Sequence, residues 1–258
     1  MNAFERRNKI VELLNQHGSV LVNDLSPRFN VSEVTIRTDL RLLEKTGVLL
    51  RFHGGAAHSH LNLSDTPLNE LQLEERYQCS IDPKKHIALA AMNYVQDGSS
   101  IILDSGSTTM MIAEELVKLK NITVITNNLP AAFILSDNMD IVLFVCGGTL
   151  RHKTRSMHGR ATEQCLEGLA ADLLFVGADG IDPQRGITTF NEGFAISSMM
   201  AKAANKVIAV VDSSKFGRSG LNTVLPLKQL DTIITDRGVD DKYRQAFTHQ
   251  HIEFITAG

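Results

Sequence analysis

The chain has 258 residues, 43% of them apolar and 21% charged, with a formal net charge of −3. That is enough for one large domain or two unequal ones; no apolar run approaches the ~20 residues that span a bilayer, and the charged, amphipathic start does not read as a secretion signal. Cys79, Cys146 and Cys165 are far apart and odd in number, and the nine histidines show no HExxH or paired Cys/His spacing, so a cytoplasmic protein with reduced thiols, no metal and no cofactor is expected.

Three short helices open the chain. Phe4–Gln16 carries Ile10, Leu13 and Leu14; after Gly18, Leu21–Phe29 carries Leu21, Val22, Leu25 and Phe29. Pro27 is an obstacle inside the second helix unless Asn23 caps it, which shortens it to 24–29 and moves the proline towards the first turn. Asn30 and Val31 form a tight turn, and Ser32 is a good N-cap for a third helix whose Ile36, Leu40 and Leu43 repeat at i, i+4, i+7. Ser32, Glu33, Thr35, Arg37, Thr38 and Arg41 are left on its other faces, where small polar groups can enter a major groove and arginines can hold phosphates or guanine edges. Gly47 ends this helix as a C′ glycine. Val48–Phe52 reads as a strand and Gly54-Gly55 as a tip, a wing that would offer Arg51 and His53 to phosphates or a minor groove. The pattern is that of a winged helix-turn-helix DNA-binding domain over 1–57, although any small trihelical domain shares the periodicity. Eight cations against six acids give this segment +2 and leave −5 for the remainder, an asymmetry suited to a DNA-binding head on a non-binding body.

Residues 58–74, polar from His58 to Ser64 and followed by Pro67, read as a linker. From 75 to 258 short apolar runs alternate with amphipathic helices. The runs are Ser100–Leu103, Thr123–Ile125, Ile141–Cys146, Leu173–Val176, Val207–Val211 and Thr232–Thr235; the helices are Lys84–Val95, Thr109–Lys118, Leu129–Leu135, Thr162–Leu169 and Phe194–Ala204. This predicts an α/β domain with a parallel sheet covered on both faces and a ligand site beyond the strand carboxyl ends. Five successive strand ends are polar: Asp104, Ser105, Gly106, Ser107, Thr108 and Thr109; Thr126, Asn127 and Asn128; Gly147 and Gly148 with Arg151; Gly177–Asp182 with Asp179; and Asp212–Lys215 with Lys215. One such loop would mean little, because βα loops must turn. Five in succession, with a cation and several carboxylates, point to a small polar ligand, and the hydroxyl-rich 104–109 loop before a helix suits a phosphate.

Thr35–Leu40 with Arg51-Phe52-His53-Gly54-Gly55-Ala56 resembles the N-terminal signature of the DeoR-type bacterial repressors. The loops 104–109, 126–128, 147–151, 176–180 and 212–215 resemble that family's sugar-phosphate sensor domain in the same order. The resemblance spans nearly the whole chain. It implies a repressor of a sugar or polyol catabolic operon, bound to double-stranded operator DNA as a homo-oligomer (dimer or tetramer), released by a phosphorylated sugar or polyol, with no membrane partner. The phosphate would lie on Ser105–Thr109 with Lys215 as counter-charge, Asp104 and Asp179 would accept from sugar hydroxyls, and Asn127, Asn128 and Arg151 would close the site. Lys215 can also be read as a helix-end surface lysine, and Arg151, Lys153, Arg155 and Arg160 as a solvated basic strip.

The sensor domain is itself similar to ribose-5-phosphate isomerase, so the rival expectation is an enzyme interconverting aldose and ketose phosphates. Sliding that enzyme's motifs onto this chain puts Ser197 at its catalytic glutamate, about Thr188 at its lysine and Val176 at an aspartate. Serine cannot abstract a carbon-bound proton without a strong base, and valine cannot do so at all. Glu192 lies nearby in sequence as a substitute. The expectation is therefore no enzyme: phosphate binding kept, chemistry lost.

Overall fold

The computed structural model describes residues 3–17, 19–45, 49–52, 55–58, 73–189, 196–220 and 222–258. The chain divides into two compact units, Met1–Pro67 and Leu68–Gly258. The division falls inside the segment read as a linker.

The first unit contains α1 (Ala3–His17), β1 (Ser19–Leu21), α2 (Val22–Phe29), α3 (Glu33–Lys45), β2 (Leu49–Phe52) and β3 (Gly55–His58). The three strands form one antiparallel sheet in the order β1-β3-β2. Ile10, Leu14, Leu25, Ile36, Leu40 and Leu49 meet in a single core. Helix α2 starts earlier than the proline argument allowed. Val22 and Leu25 are both buried one turn apart, which anchors the helix start at Val22 and leaves Pro27 inside it. The α2–α3 turn is closed by Asn30 in the left-handed region (φ 52°). Its N–H donates to the Pro27 carbonyl at 3.2 Å and that of Val31 to Ser26 at 3.1 Å, the paired bonds of a Schellman ending. Gly47, His53 and Gly54, assigned above to the helix stop and wing tip, lie outside the described residues.

The second unit is built on a seven-stranded parallel sheet of β4 (Ser100–Leu103), β5 (Ile122–Thr126), β6 (Ile141–Val145), β9 (Ala171–Val176), β12 (Ala204–Val210), β14 (Thr232–Asp236) and β15 (Glu253–Ala257), in the order β15-β14-β12-β9-β4-β5-β6. Alternate residues of each strand face opposite sides. Ile101, Leu103, Val124 and Phe175 pack with α5 (Ile81–Ala91), α6 (Ser107–Leu116) and α7 (Leu129–Leu135). Ile102, Ile125, Leu174 and Val176 face a second core with α8 (Arg160–Leu166), α9 (Ile196–Lys202) and α10 (Asp241–Thr248). Cys146 is fully buried there, and all three cysteines are unpaired.

Two small additions frame the sheet's carboxyl end: the hairpin β7 (Thr149–Arg151) with β8 (Ser156–His158), and a three-stranded sheet of β10 (Gly180–Asp182), β11 (Gly186–Thr189) and β13 (Asn222–Leu225). A six-residue helix, α4 (Leu73–Gln78), leads into the unit and begins within the last residues of the predicted linker. The chain leaves β4 towards β5 and β6 on one side, and returns through β9 to β12, β14 and β15 on the other. The switch point lies between β4 and β9.

Candidate functional site

In the first unit, Ser32 caps α3 as its residue type predicts: its Oγ accepts from the Thr35 N–H at 3.2 Å. Burial of Ile36 and Leu40 turns Glu33, Val34, Arg37, Thr38 and Arg41 to solvent. Arg37 rests on Glu33 one turn back at 2.8 Å, and Thr38 donates to the Val34 carbonyl. Val34, 69% exposed, was not singled out from the sequence; an apolar side chain on this face matches a thymine methyl. The helix is held by a buried charge pair. Asp39 accepts from Arg6 at 2.6 Å and lies 3.5 Å from Arg7, so Arg6 fastens α1 to α3 and is spent on structure. Arg51 lies in β2 opposite Ala56, and His53 lies outside the described residues.

In the second unit, the loops after β4 and β9 meet at the switch point around a cleft of about 530 Å³, part of it open to solvent. Asp104, Ser105, Gly177, Ala178 and Asp179 line it, with Arg76 of α4, Thr154 and His158 of the β7–β8 hairpin, Thr188 and Thr189 of β11, and Ser197 of α9. Asp104 is buried; one oxygen accepts from the Ser105 N–H at 2.7 Å and the other from Ser197 Oγ at 2.8 Å. Burial pushes its carboxyl up to about 6, against the pull of those two bonds and of Arg76. Asp179 takes Arg76 at 3.2 Å and Thr189 Oγ1 at 2.7 Å.

Lys84, Asp212 and Lys215 form a cluster of charges within electrostatic reach of Arg76. Lys84 is fully buried in α5, its ammonium donating to the carbonyls of Arg76 and Cys79. Burial brings it down to about 8, although Asp212 opposes this. Burial also lowers Lys215, which Asp212 again opposes. Asp212 is buried too, yet Lys215 and Lys84 hold it below the usual carboxylate range. Lys215, the last residue of the 3-10 turn Ser213–Lys215 and partly exposed, lies beside the Asp212 carboxylate and within electrostatic reach of Arg76 and Asp179.

The other predicted residues fall into two groups. Ser107, Thr108 and Thr109 form the first turn of α6 and are buried, with Gly106 (φ 153°) ahead of them and Thr109 Oγ1 bonded to its carbonyl. The first-turn N–H groups have no helical carbonyl to meet. The remainder build the frame. Thr126 Oγ1 donates to Leu103 O, Asn127 Nδ2 to Met157 O, and Asn128 Oδ1 accepts from Ala131 N. The first two tie the end of β5 to β4 and to the β7–β8 hairpin and the third caps α7; none of the three is on the cleft wall. A Cβ on Gly148 (φ 143°) would meet Thr162 Oγ1 at 2.2 Å, while Thr162 Oγ1 donates to the Gly147 carbonyl. Gly148 is thus required by close packing, whereas a Cβ on Gly147 would meet open space. Arg151 Nη1 donates to Thr154 Oγ1 on the cleft wall at 3.4 Å, and from Thr154 hydroxyl contacts run on through Ser156 to His158.

Of the positions that isomerase motifs would make catalytic, Ser197 and Thr188 line the cleft and Val176 is buried in the core at the end of β9; Glu192, the nearby substitute, lies outside the described residues. Among the described residues, no three His, Cys, Asp or Glu side chains gather to hold a metal.

An N-terminal winged helix-turn-helix unit and a parallel-sheet α/β unit with a polar switch-point cleft together define a DNA-binding regulator with a sensor domain. Residues 6–61 match the DeoR-like helix-turn-helix domain and residues 80–237 the DeoR C terminal sensor domain; the chain belongs to the DeoR family. It is 38% identical to the putative aga operon transcriptional repressor of Escherichia coli O157:H7, over 98% of this chain and 94% of that protein. It is 33% identical to the lactose phosphotransferase system repressor of Streptococcus mutans, over 98% and 99%. These relatives are regulators, not enzymes. A ribose 5-phosphate isomerase from Methanocaldococcus jannaschii overlaps 53% of this chain and 54% of its own at 22% identity and a TM-score of 0.40, a likeness that gives no residue here a role. No helix among the described residues is long and apolar enough to cross a membrane.

Proposed function

We propose that this protein represses a sugar or polyol catabolic operon, with galactitol as the polyol, and that a phosphorylated sugar or polyol releases it from its operator. The observation that carries the reading is the cleft at the β4/β9 switch point. Two carboxylates (Asp104, Asp179) and several hydroxyls lie on its wall, with Arg76 beside them and Lys84 and Lys215 within electrostatic reach of Arg76. Carboxylates and hydroxyls suit a polyol chain; the cations and the α6 first turn suit a phosphate. The galactitol assignment rests on segments 104–109, 151–160 and 187–193, which resemble those of galactitol-operon repressors. The functional division is 1–57 for DNA, 58–74 as the connection and 75–258 for sensing and assembly. DNA contacts fall to Val34, Thr35, Arg37, Thr38 and Arg41 in the major groove, with Arg51 and His53 on the wing.

Reading two half-sites calls for a dimer, and β6 supports one. It is an edge strand of the sheet, free of charge from Ile141 to Val145, with Val142 66% and Phe144 45% exposed. The opposite edge strand, β15, presents Glu253 and Thr256. An edge strand that is apolar and exposed among the described residues is the kind that natural proteins cover.

The test is a mobility-shift titration on the protein's own upstream region with hexitol, tagatose and pentose phosphates, alongside a coupled isomerase assay on the same panel. Release by one phosphate without turnover is the expected result. Turnover at an ordinary enzymatic rate would favour the enzyme.

A further inference from the structure

Helix α4 is the first described element beyond residues 59–72, which connect it to the helix-turn-helix unit, and its ties run to the cleft. The Leu73 N–H donates to the Lys153 carbonyl at 3.0 Å, in the turn of the hairpin that carries Thr154 and His158. The Arg76 guanidinium meets the Asp179 carboxylate at 3.2 Å, both side chains about 15% exposed (14% and 15%). The Tyr77 hydroxyl is bonded to Glu114 of α6, the helix whose first turn opens at Ser107. The Lys84 ammonium, fully buried, holds the carbonyls of Arg76 and Cys79, the latter at 2.6 Å. A helix of six residues has little stability of its own, so its position is set by these partners, several of which belong to the cleft.

We propose that Arg76 is the residue that senses the bound anion. A phosphate ester in the cleft draws the guanidinium from Asp179 and shifts α4, and with it the start of the segment leading to the DNA-binding unit. This rests on the sugar-phosphate reading above and adds how occupancy leaves the site. The exchange is chemically reasonable because a phosphate dianion offers a planar guanidinium two parallel charge-assisted bonds, and Asp179 keeps its bond from Thr189 when Arg76 leaves. It also supplies what a ligand-driven shift requires: contacts the ligand makes in one conformation and not in the other.

The test uses the full-length protein with galactitol 1-phosphate and, as a control, inorganic phosphate. Calorimetry establishes saturation, and operator affinity is then measured with and without the saturating probe, together with amide hydrogen exchange over 73–80. In the wild type, galactitol 1-phosphate should weaken operator binding at least tenfold and speed exchange in 73–80. In Arg76→Gln, saturated with the probe, the ratio of the two affinities should fall towards one with no change in exchange; Arg76→Lys, which keeps the charge, should recover part of the ratio. An Arg76→Gln protein that keeps the full ratio overturns this inference and leaves the sugar-phosphate reading intact, as does a wild type released from DNA with exchange in 73–80 unchanged. A wild type that binds its operator but neither binds nor responds to any sugar or polyol phosphate refutes the sugar-phosphate reading, and this inference with it.

Discussion

Asp104 shows how a single side chain can be set for binding at a cost to the fold. Its carboxyl titrates near 6 in the folded protein, against an ordinary 3.8, chiefly because it is buried. Between those values the folded chain holds a proton that the unfolded chain has released. Stability therefore falls as pH rises from about 4 to about 6 and is flat above, a loss on the order of 2–3 kcal/mol. Asp104→Asn keeps an acceptor for the Ser105 N–H and removes the charge. It should unfold at higher urea than the wild type at pH 7.5, with the gap closing by pH 4; a gap independent of pH would contradict the burial argument. Asp104, Ser105 and Asp179 were legible in the sequence because strand-end loops must face the switch point. Lys84 and Arg76 were not singled out. A signal for Lys84 was present: it shares a helical stripe with Ile87, Ala88 and Ala91, where a lysine has no reason to be unless it has partners. Arg76 sits in a helix too short to show a period. Asn127 and Asn128 look like ligand amides in sequence; the structure adds that Asn127 Nδ2 also holds the β7–β8 hairpin and Asn128 Oδ1 caps α7, while Asn127 Oδ1 and Asn128 Nδ2 stay buried without a hydrogen-bond partner among the described residues.

At the scale of elements, the long periodic segments and apolar runs were readable, and the short pieces were not. Strands β4 and β6 and helix α7 lie where their apolar runs place them. β1, β3, β7, β8, β10, β11 and β13 have three or four residues each, too few for alternation to stand out. β15 was missed because an edge strand need not be apolar throughout. Two elements in the first unit allow direct tests. The Asp39 carboxylate is 4% exposed and joins α3 to α1 through Arg6. Asp39→Ala strands a buried guanidinium and should destabilise the unit by about 3 kcal/mol, with operator binding lost at temperatures where the sensor unit remains folded. A thermal melt unchanged within a degree would show that the pair is not structural. Asn30 holds the left-handed turn before α3 (φ 52°), so Asn30→Gly should be neutral or slightly stabilising and Asn30→Ala should cost about 1 kcal/mol by urea titration. Equal effects would mean that the turn does not need this conformation.

For the whole molecule, the family, the relatives and the two units describe a DNA-binding regulator whose second unit senses a small effector; the proposed dimer would join two reading heads. If β6 pairs with its own copy, Val142→Lys with Phe144→Lys should reduce the mass measured by light scattering by one step of association and leave binding of the sugar phosphate unchanged; an unaltered mass would place the interface elsewhere. In the proposed function one phosphate ester governs the grip on DNA. The most direct test is operator affinity at fixed salt against galactitol 1-phosphate concentration, with Arg37→Ala as the control that should bind no operator. A saturable fall of at least tenfold in the wild type is predicted. Tight operator binding that no sugar or polyol phosphate disturbs would contradict the account.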